Sequence, residues 1–393
     1  MASLFSKKLW NRDFVLILLI CTIASFPNAI LISVLPVYVL DLGGSDALTG
    51  LMMTGLTVLG MVTNLAVAPL IDRVGRKKLL VLGSGLYFVN ALLFCFTRDL
   101  NALFALRVLC GFSQGIFFPV PPVIASDISP KELMVDAMGI FGAAGSLTFA
   151  VAPAIGLAIY RSLGPTAMFA AAAAMGGVSF ALALLVRERY QVPEKQPRGK
   201  AVRGGLRLRG PLLWLMLMPS AINLIACFGN SAVSSFLIPC GLSRGLEGIA
   251  LFSMVNQGAV VVSRLMIGRV LGRVSKKNCV LIGILLTAAG TALIAAAHSM
   301  AMMLAAAVLI GVGITAVTQL LQAETLITVP ADRRGMAGTA YMLMGNIGTG
   351  LGAAALGAVS TASGYSLTYA LAGGLTLLSL PIHFPYWHRR EAA

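Results

Sequence analysis

Charge is scarce in this chain. Asp, Glu, Lys and Arg make up only 11% of the 393 residues, against 58% hydrophobic. A soluble domain carries about 25% charged residues to wet its surface, so the solvent that fits this composition is lipid. Acid is scarcer still, with 14 Asp and Glu against 29 Lys and Arg. The six cysteines, Cys21, Cys95, Cys110, Cys227, Cys240 and Cys279, form no CxxC and no Cys/His cluster, so neither a disulfide framework nor a zinc site is indicated. No metal and no cofactor are expected. There is no GxxxxGK[ST] loop, so ATP is not the expected energy source. No basic patch is interleaved with aromatics, so nucleic acid is not an expected partner. Most connections are too short for a soluble catalytic domain and the apolar runs hold few polar groups, so no enzyme is expected.

What the chain has in abundance is long apolar runs. Twelve are long enough to cross a hydrocarbon core, each needing about 20 residues. They run approximately 14–40, 47–71, 79–97, 100–125, 135–160, 165–186, 211–239, 246–267, 279–297, 300–325, 335–361 and 365–387. Each must be helical, because an open strand leaves backbone groups unsatisfied in lipid. The first run is too long for a signal-peptide core and is expected to remain as the first helix.

The net charge of +15 is distributed by side. With the N-terminus placed in the cytoplasm, sixteen Lys and Arg fall at the cytoplasmic ends, and the segment Arg187–Gly210 adds eight. Only Arg98, Arg161 and Arg244 fall on the opposite side. This positive-inside asymmetry puts both termini in the cytoplasm of a multi-pass protein, and by analogy its short loops lead one to expect the bacterial inner (plasma) membrane. The basic excess then serves topology, with attraction to anionic lipid as a by-product.

The chain also repeats itself. Asp72-Arg73-Val74-Gly75-Arg76-Lys77-Lys78 is answered 200 residues later by Gly272-Arg273-Val274-Ser275-Lys276-Lys277-Asn278. At the same offset Gly83 aligns with Gly283, Pro130 with Pro330, Ala137 with Ala337 and Gly145 with Gly345. Two copies of one half, each with six apolar runs, are the usual build of a secondary transporter. The expected organisation is a six-helix half over 1–190, a basic cytoplasmic linker over 191–210 and a second six-helix half over 211–393.

Three motifs carry a family resemblance. Ala68-Pro69-Leu70-Ile71-Asp72-Arg73-Val74-Gly75-Arg76-Lys77 is similar to the pattern GxxxDxxGRK, with Ala68 in place of the first Gly. Arg107-Val108-Leu109-Cys110-Gly111 with Gln114-Gly115 is similar to an arginine-plus-glycine motif of span four. Gly139, Pro153 and Gly156 match part of an antiporter motif in span five, which Thr148, Ala152 and Leu157 depart from. On these residues the chain resembles the major facilitator superfamily over essentially its whole length, on the side of its proton-antiporter, drug- and metabolite-efflux members. The resemblance implies an all-α membrane fold of twelve transmembrane helices in two pseudo-symmetric halves, working as a monomer by alternating access.

Residues follow from both readings. Arg76 has the rigid fork to bridge Asp72 to a second carboxylate, and the resemblance points to Asp127 for it, giving a cytoplasmic latch of Asp72, Arg76 and Asp127. The alternative is that the cations only anchor topology. Ionisable groups inside spans are functional candidates by default. Arg107 is a candidate for binding an anionic group or tuning a coupling carboxylate, Arg264 is a weaker one, and Glu324 is the one acid placed within a span. Glu324 and Arg107 are therefore the proton-coupling candidates, although Glu324 can equally close span ten near the surface. Spans one, four, seven and ten line the cavity in the family, which favours Asn28, Gln114, Asn223, Asn230 and Gln319 among ten intramembrane amides. Pro27, Pro119, Pro121 and Pro122 are expected to bend spans one and four.

With no acid in span one and modest aromatic content, the pocket suits a polar or anionic metabolite exported against protons. A multidrug/proton antiporter for amphipathic compounds, a proton-independent facilitator or importer, and a transporter-like receptor or scaffold are the alternatives.

Overall fold

The computed structural model describes residues 10–67, 70–129, 134–187, 211–271, 273–328 and 334–391. The side chains of Asp72 and Arg73 and the whole of the proposed linker, 191–210, lie outside the described residues. Every regular element among those described is a helix.

The first part runs α1 (Arg12–Ser33), α2 (Leu35–Asp41), α3 (Asp46–Val67), α4 (Ile71–Val74), α5 (Arg76–Phe94), α6 (Leu100–Phe117), α7 (Val120–Ile128) and α8 (Met134–Leu185). The second runs α9 (Pro211–Ser243), α10 (Leu251–Leu271), α11 (Lys276–Ala295), α12 (Met300–Thr328), α13 (Arg334–Leu377) and α14 (Leu380–Glu391). Nine stretches among the described residues are long and apolar enough to cross a membrane, with a shorter apolar helix at Leu251–Ile267. Two of the nine, Ile140–Leu185 and Ala337–Arg390, run to 46 and 54 residues, about twice what one crossing needs.

Both long stretches break at a glycine. Gly164 (φ 84°) and Gly364 (φ 77°) sit in a backbone region that a side chain would strain. They are 200 residues apart, as are the starts of α5 and α11, α6 and α12, and α8 and α13. The offset seen in the sequence thus recurs in the places where the chain turns.

Local chemistry sets the ends. Asn11 caps α1 by accepting from the Phe14 amide at 2.9 Å. Asp99 does the same for α6, and Ser275 for α11. Proline breaks the runs where it removes a donor. Pro119 separates α6 from α7, as the sequence leads one to expect. In the first run, however, Pro27 is carried inside α1, and the break falls at Val34, just before Pro36.

The apolar core has an asymmetry that positions everything else. At the end of the bundle away from the basic loops, one core draws on both parts, from Ile30, Tyr38 and Met52 to Phe236, Phe252 and Ala372. At the end carrying the basic loops each part has its own core. One holds Phe14, Leu80, Phe117 and Ile124; the other holds Ile222, Ile284, Leu321 and Tyr386. The two parts are joined at one end and packed separately at the other.

Candidate functional site

Between the two parts lies a cavity of about 410 Å³. Its polar lining comes from Ser33 on α1, Asn230 and Ser234 on α9, Ser253, Asn256, Gln257 and Arg264 on α10, Thr315 and Thr318 on α12, and Thr349 on α13. Met53, Phe149, Pro153 and Phe252 contribute apolar walls. The lining contains a guanidinium, amides and hydroxyls but no carboxylate. Arg264 also reaches across to α8, its Nη1 donating to Ser146 Oγ at 3.5 Å. Asn256 is held by a 2.9 Å bond from its Nδ2 to the Ala307 carbonyl.

Of the five amides favoured from the sequence, Asn230 lines this cavity. Asn28 and Gln114 bond each other, Gln114 Nε2 donating to Asn28 Oδ1 at 2.8 Å. Asn223 is buried and donates to the Tyr341 carbonyl at 3.1 Å. Gln319 is half-buried on α12. The cavity's other amides, Asn256 and Gln257, lie on span eight, and its hydroxyls come from Ser and Thr. Sequence reasoning passes over such hydroxyls because most of them bond their own helix backbone.

Arg107 is buried on α6 at 2% exposure and lines a separate cavity of about 20 Å³ with Thr49, Met52, Met53 and Ser235. It does not line the larger cavity.

The ionisable latches gather at the basic-loop end. Arg76, at the start of α5, pairs with Asp127 near the end of α7, Nε to Oδ2 at 2.5 Å. Whether Asp72 completes this pair lies outside the described residues. Glu324, whose side chain is 2% exposed, pairs with Lys276 at the start of α11, and its Oε2 stands 3.7 Å from Arg390 Nε on α14. A carboxylate near the end of one helix thus meets a cation opening another in each part of the chain. Glu324 does not line the large cavity.

Glu324 is also not the one acid within the spans. Asp13 in the first turn of α1 and Asp46 at the start of α3 are both buried. They fall one residue outside runs 14–40 and 47–71, because a hydropathy boundary stops at a charge whereas a helix starts on it. Asp46 joins the two parts at the end away from the basic loops. Ser360 Oγ donates to its Oδ2 at 2.6 Å and Tyr365 Oη to its Oδ1 at 3.2 Å. One residue on, the Ala47 amide donates to Thr361 Oγ1 at 2.9 Å. At the same end, within the second part, Arg244 donates to the Ile294 and Ala297 carbonyls at 2.6 and 3.0 Å.

Comparisons with known proteins agree with this architecture. The profile of the Major Facilitator Superfamily matches residues 17–279 and 220–393. The Quinolone resistance protein NorA of Staphylococcus aureus (strain MRSA252) is 26% identical over 208 residues, 52% of each chain. The Multidrug resistance protein 1 of Bacillus subtilis (strain 168) is 30% identical over 207 residues, 51% of this chain and 52% of its own. These alignments span about half the length of the curated relatives. Among solved structures, a peptide transporter POT superposes with a TM-score of 0.81 at 13% identity, covering 96% of this chain and 94% of its own. The nucleoside transporter NupG superposes at 0.77 and 14% identity, covering 96% and 99%. At such identities the likeness is one of fold.

Proposed function

The chain belongs to the Major Facilitator Superfamily and is a multi-pass membrane transporter, and from that premise we propose that it exports a small polar or anionic metabolite in exchange for protons. The twelve-span count, the halves 1–190 and 211–393 and the cytoplasmic termini belong to the same proposal. The observation that carries it is the cavity of about 410 Å³ between the two parts, within the range of small-molecule sites. Its lining of Arg264, amides and hydroxyls offers donors to oxygen-rich or negative groups. A greasy cation would want acids and aromatic faces instead.

With the basic loops in the cytoplasm, the shared core at the far end and the separate cores at the near end correspond to an inward-facing state. Alternating access would exchange them, breaking the Asp46 contacts outside while the cytoplasmic ends close. In this reading Arg76–Asp127 and Lys276–Glu324–Arg390 hold each half rigid at its cytoplasmic end. Protonation of Glu324 would remove its attraction for both cations and loosen the cytoplasmic ends of α11 and α14 on α12, which would couple a proton to movement. The second reading, multidrug efflux, is favoured by the names of the NorA and Bacillus relatives.

Proton release from purified protein, titrated with a panel of metabolites and drugs, tests the proposal. The wild type should release protons on binding its substrate, and Glu324→Gln should bind without release. Binding without release in both forms would make the protein a facilitator.

A further inference from the structure

Arg107 and Ser235 face the same small cavity from different parts of the chain. Arg107 belongs to α6 and Ser235 to α9, and Thr49 of α3 adds a hydroxyl to the lining. Both are almost wholly buried, and Arg107 Nη1 and Ser235 Oγ each have no hydrogen-bond partner among the described residues. Arg107 forms no ion pair among those residues either. Its electrostatic neighbours are Cys110, which also hydrogen-bonds the guanidinium, and Tyr87, a thiol and a phenol that are ordinarily neutral at pH 7. A buried guanidinium without a counter-charge is strongly unfavourable, and an orphaned hydroxyl beside it adds to the cost. Such a pair is a site awaiting an acceptor.

Size and position narrow the acceptor. The cavity of about 20 Å³ admits one water-sized group, since a water needs about 10–15 Å³ by this measure. That fits one carboxylate oxygen, whereas a phosphoryl group brings three oxygens. Ile32 and Met53 line both this cavity and the one of about 410 Å³, so the two cavities are neighbours that share these side chains. Met53 is unbranched and adaptable, which makes it a movable partition rather than a wall.

We propose that the Arg107–Ser235 cavity is the carboxylate subsite of the transport cavity. A substrate lying among Asn230, Gln257 and Thr315 puts its carboxylate past Met53, one oxygen accepting from Arg107 and Ser235 together. Because these donors sit on α6 and α9, the bound carboxylate ties the two parts of the chain to each other. The proposal rests on the transporter reading and names its substrate class as a monocarboxylate. A free inorganic monoanion, such as chloride, shares the chemistry and is distinguished below.

The test is equilibrium dialysis of radiolabelled benzoate against the full chain in lipid nanodiscs, in methanesulfonate buffer without chloride. Benzoate should bind at millimolar concentration or tighter, and benzamide should not displace it. Arg107→Gln should weaken binding by about tenfold or more, the loss of a charge-assisted hydrogen bond. Ser235→Ala should weaken it several-fold and, as a mild change, guards against misfolding of the arginine variant. No benzoate binding, equal binding by both variants, or displacement by benzamide overturns the subsite. Displacement by equimolar chloride assigns the cavity to a free anion and likewise overturns it. Flux of a panel compound in proteoliposomes is read separately. Flux without benzoate binding upholds transport and sinks the subsite alone; benzoate binding without any flux upholds an anion site and sinks the transporter reading.

Discussion

At the scale of single residues, the buried carboxylates carry the most consequence. Asp46 accepts two hydrogen bonds from α13, and its removal would leave Ser360 and Tyr365 without their acceptor. A loss of about 1.4 kcal/mol of contact across the two parts is expected, within the usual cost of leaving a buried polar group unpaired, which is roughly a tenfold rise in the population open at that end. Thiol labelling of a cysteine placed at Thr361 should therefore run about tenfold faster in Asp46→Ala, and by less in Asp46→Asn, which keeps an acceptor. Glu324 is different in kind, since its partners belong to the second part alone. Lys276 is 44% exposed on its side chain, so solvent screens the pair. Lys276→Ala is expected to cost about 1–2 kcal/mol, between an exposed and a fully buried pair. Thermal unfolding in detergent, run beside Lys276→Arg as the conservative control, reads that cost.

At the scale of elements, the packing of α3 on α13 determines which end of the bundle is closed. Gly50 lets the two backbones touch, and a Cβ there would overlap the Ala353 carbonyl. Overpacking costs about 1–3 kcal/mol, and here it would fall on the closed contact alone. Gly50→Val should widen spin-label distances between α3 and α13 while leaving those within the first part unchanged. Much at this scale was legible in the sequence. The repeat at 200 residues announced the matching starts of α5 and α11, and it was the family resemblance, not the pattern around Arg76 itself, that pointed to Asp127. What escaped has physical reasons. Pro27 is absorbed within α1 because a break is set by the whole chain path, whereas Pro36 falls where the path bends. Asn28 and Gln114 look like cavity amides one at a time, but together they satisfy each other. Asp46 was excluded by a span boundary that hydropathy draws one residue late, and no pattern within one helix could name its partners 314 and 319 positions away.

At the scale of the molecule, one shared core at one end and two separate ones at the other are the packing that an exchange of the closed end would require. The polar cavity lies where that exchange would carry it from one side to the other, and its lining of Arg264, amides and hydroxyls would favour oxygen-rich cargo. In the proposed function that cargo moves against protons, and flux into proteoliposomes loaded at pH 6 and diluted to pH 7.5, with a panel of labelled carboxylates and sugars outside, decides whether it does. Accumulation of at least one compound above its outside concentration, abolished by a protonophore and in Glu324→Gln, is the predicted result. Equilibration without accumulation, indifferent to the protonophore, would contradict it.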